Sequence, residues 1–95
     1  MFIILLTFSE NKSQASQFMP GHKAWIEQGL EDGVFLMVGS LQPNKGGAVL
    51  AHNSTLEALQ SRVNTDPFVA KNVVSAEILE ISPHRGDERL NFLLN

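Results

Sequence analysis

Phe2-Ile3-Ile4-Leu5-Leu6-Thr7-Phe8 decides how this chain folds. Seven residues, aliphatic or aromatic at all but Thr7, are too few for a helix and suit a strand. The run lacks the apolar–polar alternation of a half-exposed strand, so both of its faces are expected to be covered. It could be taken for a secretory leader, but no basic residue stands within it and it breaks into Ser9-Glu10-Asn11-Lys12. It is also far short of the roughly 20 residues of a membrane span.

Downstream, Ser9 to Gln17 is polar and reads as a loop with room for a turn of helix. A helix is predicted from Pro20, whose fixed φ and missing N–H suit a first turn, to a stop at Gly33. Trp25, Ile26, Gly29 and Leu30 form its apolar stripe, with His22 at the N-terminal end. Val34 to Leu41 and Ala48 to His52 read as strands joined by the turn Gln42-Pro43-Asn44-Lys45-Gly46-Gly47, making a hairpin. Ser54-Thr55-Leu56-Glu57 matches a capping box opening a second helix, which places Leu56, Leu59 and Val63 on one side. Asp66-Pro67-Phe68 begins a short turn, and Val73 to Ile81 is the last strand.

Strand, helix, strand, strand, helix, strand is the split β-α-β order of an α+β, ferredoxin-like domain with a four-stranded antiparallel sheet. Two helices cover one face of such a sheet. If the first strand is apolar on both faces, the sheet of an identical subunit is the simplest cover for the other, so a homodimer is expected. The domain is expected over residues 1–83. Residues 84–95 read as a C-terminal arm carrying Leu90, Phe92, Leu93 and Leu94, packed on its own or a neighbouring subunit and able to join dimers into a higher oligomer.

Composition narrows the function classes. Ninety-five residues and 10.5 kDa allow one core, and a chain this short buries only about 60 to 65% of its unfolded surface. A net charge of −3, a pI near 5.5 and seven scattered Lys and Arg argue against nucleic acid as a partner. With no cysteine there is neither a disulfide nor a thiol nucleophile, and a cytoplasmic location is expected. His22, His52 and His84 lack HxH or HxxxH spacing, so no metal site is expected. There is no GxGxxG or P-loop and no Gly-x-Ser-x-Gly elbow, and no cofactor is expected.

What remains for chemistry is His22 with Asp66. A histidine can exchange a proton while a carboxylate orients its other nitrogen. Each residue also has a plain structural explanation, His22 as a helix-start side chain satisfied by a carbonyl and Asp66 as an N-cap before Pro67. Capping and chemistry are compatible at Asp66. Trp25, Gly39, Ser40 and Phe68 are the candidate substrate-binding residues, although Trp25 reads first as a core residue and a strand kink explains Gly39 adequately.

Taken in order, the apolar first strand, His22, Gly33, Gly39, Gly46-Gly47 and Asp66-Pro67-Phe68 resemble the YciI-like, or YCII-related, domain family over about residues 1–83. The resemblance implies a dimeric α+β barrel and a histidine–aspartate active site at His22 and Asp66. One relative type removes chloride from a chlorinated hydroxyhydroquinone, and the similar muconolactone isomerases move protons on an enol lactone. Many members carry an arginine a few residues before the histidine, where Gln17, Phe18, Met19 and Pro20 stand here.

The leading expectation is therefore a small cofactor-free enzyme of lyase or isomerase type, with His22 as general acid or base on a small cyclic or aromatic carbonyl compound. The alternatives are a non-catalytic dimer that binds a small metabolite and an assembly subunit joined through the arm.

Overall fold

In the computed structural model, which describes residues 1–94, the run Phe2–Phe8 forms strand β1, flanked on both sides by other strands. Strands β2 (Phe35–Leu41), β3 (Gly46–Ala51) and β4 (Val74–Glu80) complete an antiparallel sheet in the order β2-β3-β1-β4. Helices α1 (Ala15–Glu31) and α2 (Leu56–Asn64) and the single turn α3 (Pro67–Ala70) pack on one face. The fold is ferredoxin-like α+β. Its core joins Phe2, Ile4 and Leu6 of β1 to Trp25, Leu59, Val63 and Phe68 of the helices.

Strand register shows what the continuous apolar run does. Ile4 pairs with Val49 and Ile78 on the helix-covered face, whereas Ile3 pairs with Leu50 and Leu79 on the other. Met37, opposite Leu50, extends this second apolar row across all four strands and is 64% exposed. Helices α1, α2 and α3 leave that row uncovered, so β1 supplies apolar side chains in both directions, as its lack of alternation predicts.

Helix α1 begins at Ala15, not at Pro20, and Pro20 lies in its second turn. Proline there forfeits the N–H bond to the Ser16 carbonyl. The longer helix is stabilised by Ala15, Phe18 and Met19, which pack against the core in line with His22, Trp25 and Ile26. His22 therefore sits in the body of the helix, away from the terminus where it was expected. Gly33 ends α1 as predicted. Its φ of +73°, with bonds from Gly33 N–H to the Leu30 carbonyl and from Val34 N–H to the Gly29 carbonyl, makes a Schellman motif. Gly29 lets the Phe35 ring lie flush on α1, where a Cβ would collide with it.

The N-cap of α2 is Thr55, one residue later than the capping box Ser54–Glu57 predicts. Thr55 Oγ1 accepts the Ala58 N–H at 3.1 Å, whereas the Ser54 hydroxyl donates to the Thr55 carbonyl. Thr55 has the extended φ of −89° and ψ of 160° that a cap needs. Thr55→Ala is expected to cost about 1 kcal/mol in urea unfolding, and Ser54→Ala less than about 0.5.

In β2 a bulge separates Phe35, opposite Ala51, from Met37, opposite Leu50. The extra residue, Leu36, sets the strand so that Val38 and Ser40 lie opposite Val49 and Gly47 on the helix-covered face. The segment expected as an arm leaves β4 extended and turns into a short 3-10 helix, Glu88–Leu93. Phe92 meets the His52 ring edge-on at 5.6 Å and stays 52% exposed on its own chain. Asn95 lies outside the described residues.

Candidate active site

The site is built where α1 and α3 meet the sheet. His22 projects from α1, and Asp66 is fixed by the chain as it enters α3. Asp66 has extended φ and ψ, precedes Pro67 at the first helical position, and accepts the Phe68 N–H through Oδ1 at 3.0 Å. The same oxygen lies 2.9 Å from His22 Nδ1. Asp66 is thus both cap and partner, the compatibility inferred from the sequence.

Asp66 is completely buried and the His22 side chain is 13% exposed. Against a carboxylate, which can only accept, Nδ1 must carry a hydrogen, and in the neutral form of the ring Nε2 is then the nitrogen with the lone pair. Among the described residues Nε2 has no hydrogen-bond partner. The imidazole lies flat on the Phe68 ring, with centroids 4.0 Å apart and planes 4° apart, so one hydrogen bond and one stack fix both its tilt and its rotation. Asp66 Oδ2 is buried and without a hydrogen-bond partner among the described residues. Among the described residues, His22 is therefore the one side chain bonded to this carboxylate.

His22 stands on the wall of a cavity of about 380 Å³, partly open to solvent. Leu6, Val49 and Val74 of the sheet form its floor and Met19 and Ile26 of α1 its side, so the surface is largely apolar. Of the residues expected to bind substrate, Gly39, Ser40 and Phe68 line this cavity. Trp25 does not. It belongs to the core, where its Nε1–H donates to the Arg62 carbonyl at 2.9 Å and its ring lies 5.9 Å from that of His22. A large indole with an internal acceptor is better satisfied under the site than in it.

The Arg62 side chain is tied in turn to Asp32 at 3.0 Å, joining the end of α1 to α2. Asp32 is held below the usual carboxylate range, first by the Gln28 side-chain amide and then by Arg62. Beyond the apolar wall, Lys23, exposed and next to His22, is a charged lining residue that was not among the candidates. Its adjacency to His22 was the available signal. Among the described residues, no group of three His, Asp or Glu side chains is placed to hold a metal ion, and no helix is long and apolar enough to cross a membrane.

A ferredoxin-like sheet with a histidine–carboxylate pair opening on a cavity defines the class of protein to compare. The family model for the YCII-related domain matches residues 1–82, and the chain belongs to that family. Among solved structures it is similar to 5-chloro-2-hydroxyhydroquinone dehydrochlorinase from Burkholderia phenoliruptrix in complex with 2,5-dihydroxybenzoquinone. The TM-score is 0.68 at 12% identity, covering 85% of this chain and 93% of that one. Among curated proteins none matches the chain in sequence.

Proposed function

We propose that this chain is a cofactor-free enzyme of lyase or isomerase type, in which His22 moves a proton on a small cyclic or aromatic carbonyl compound held in the cavity. The observation that carries this reading is the 2.9 Å bond from His22 Nδ1 to a fully buried Asp66, with His22 on the cavity wall. Nε2 takes a proton from a C–H or O–H of the ligand, Asp66 faces the imidazolium so formed, and the proton returns at another atom. With nothing departing, the change is isomerisation; if chloride then leaves the carbon that received the proton and a further hydroxyl proton passes to solvent, the net change is loss of HCl. A cavity of about 380 Å³ suits a single six-membered ring with its oxygens. The neighbour's substrate and ligand are rings of that kind.

The test is chloride release from 5-chloro-2-hydroxyhydroquinone, together with isomerisation of an enol lactone, for the native protein and His22→Ala. Turnover that disappears with His22 supports the proposal. Stoichiometric binding without turnover would assign the cavity to ligand binding alone.

A homodimer is part of the same proposal, with the second sheet face buried against its copy. Ile3, Leu50, Leu79 and exposed Met37 give that face an apolar centre. Sedimentation is expected to give twice the 10.5 kDa chain mass. Leu50→Lys, which puts a charge at the centre of the row, should give monomers. A native monomer at micromolar concentration would refute it.

A further inference from the structure

The cavity wall carries two side chains able to bear positive charge, His22 and Lys23, and no carboxylate among the described residues. Its other side chains are apolar, apart from the Ser40 hydroxyl. Lys23 forms no salt bridge among the described residues, although Glu27 lies one helical turn along α1. An ammonium without an internal partner, at the edge of an apolar cavity, attracts an anion more strongly than it would on an open surface, because a bound ring displaces the intervening water.

We infer that Lys23 is the charge anchor of this cavity and that its ligand is a small planar ring bearing one acidic oxygen, as carboxylate, phenolate or enolate. The anionic oxygen meets Lys23 Nζ, the ring lies on the apolar wall, and the remaining edge of the ring is presented to His22. This deepens the proton-transfer reading and rests on it for the part His22 plays, while anchoring itself is a property of binding. Lys23 and His22 are consecutive on a helix, so their side chains diverge by about 100°. A ligand of one ring can span that gap.

Benzoate and benzamide test this, because they share a shape and differ in charge. The single tryptophan, Trp25, lies 5.9 Å from the His22 ring and reports occupancy by fluorescence, with calorimetry as a second measure. The native protein should bind benzoate roughly 3- to 10-fold more tightly than benzamide. Lys23→Met should abolish that preference while leaving benzamide affinity unchanged, and Lys23→Arg should retain it.

Equal affinity for the two probes, or no binding of either at millimolar concentration, would overturn the inference. So would a preference that survives in Lys23→Met, and its loss in His22→Gln would then assign the charge selectivity to the imidazole. Binding is read here without turnover. A failed anchor therefore leaves the His22 proposal standing, and absent turnover leaves the anchor measurable.

Discussion

His22→Ala is expected to lower turnover by roughly 10²- to 10⁴-fold, the contribution of a positioned general base, with cooperative unfolding retained. The two effects separate because of where the ring sits. Removing the imidazole takes away Nε2, the proton carrier, but the space it leaves adjoins the cavity. Water can enter there and donate to Asp66 Oδ1, which keeps its bond from the Phe68 N–H. Steady-state turnover set beside thermal unfolding decides the matter. If activity and stability fell together in proportion, His22 would be a packing residue and the catalytic proposal would fail.

Asp66→Ala should behave differently, losing both activity and about 2–4 kcal/mol of stability. Its carboxylate caps α3 and partners His22 with one oxygen, in a position with no access to solvent. The cap alone is worth about 1 kcal/mol, and the unpaired Nδ1–H and the void add the rest. For a chain of this length that corresponds to roughly 10 to 25 °C in Tm. Asp66→Asn retains an accepting oxygen but places an amide where Oδ2 now lies without a partner, so it should still cost about 1–3 kcal/mol. In activity the two residues act as one unit. With His22 gone there is no imidazole to orient, so His22→Ala/Asp66→Ala should be no slower than His22→Ala, and additive losses would contradict the pairing.

The sheet was legible because β1 is apolar in both directions and the other strands lie between clear turn signals. The start of α1 was misplaced because Pro20 imitates a first helical residue. The spacing of Ala15, Phe18, Met19, His22, Trp25, Ile26 and Gly29 nevertheless held the true start, and periodicity outweighed proline. Two equally good cap residues, Ser54 and Thr55, stand in succession, and only the backbone angles choose between them. At the site, Asp66 could be paired with His22 only through the order of elements and a family likeness, since 44 positions separate them. The cavity was beyond local reading, because its wall draws on β1, β2, β3, α1, α3 and β4 at once. Trp25 and Lys23 exchanged roles for that reason: aromatic character suggested a wall residue, while solvent exposure hid one.

The bulge at Leu36 is a one-residue phase setting for the whole cavity. Strand side chains alternate with a period of two, so a β2 that kept every residue and Phe35 opposite Ala51 but paired without the bulge would carry Gly39 opposite Gly47 and Met37 opposite Val49. A thioether would then project toward His22, and Val38 and Ser40 would pass to the far side of the sheet. Within this fold, the presence of a bulge at a single strand position is a switch between two different cavity linings, open to change without any substitution in α1 or α3.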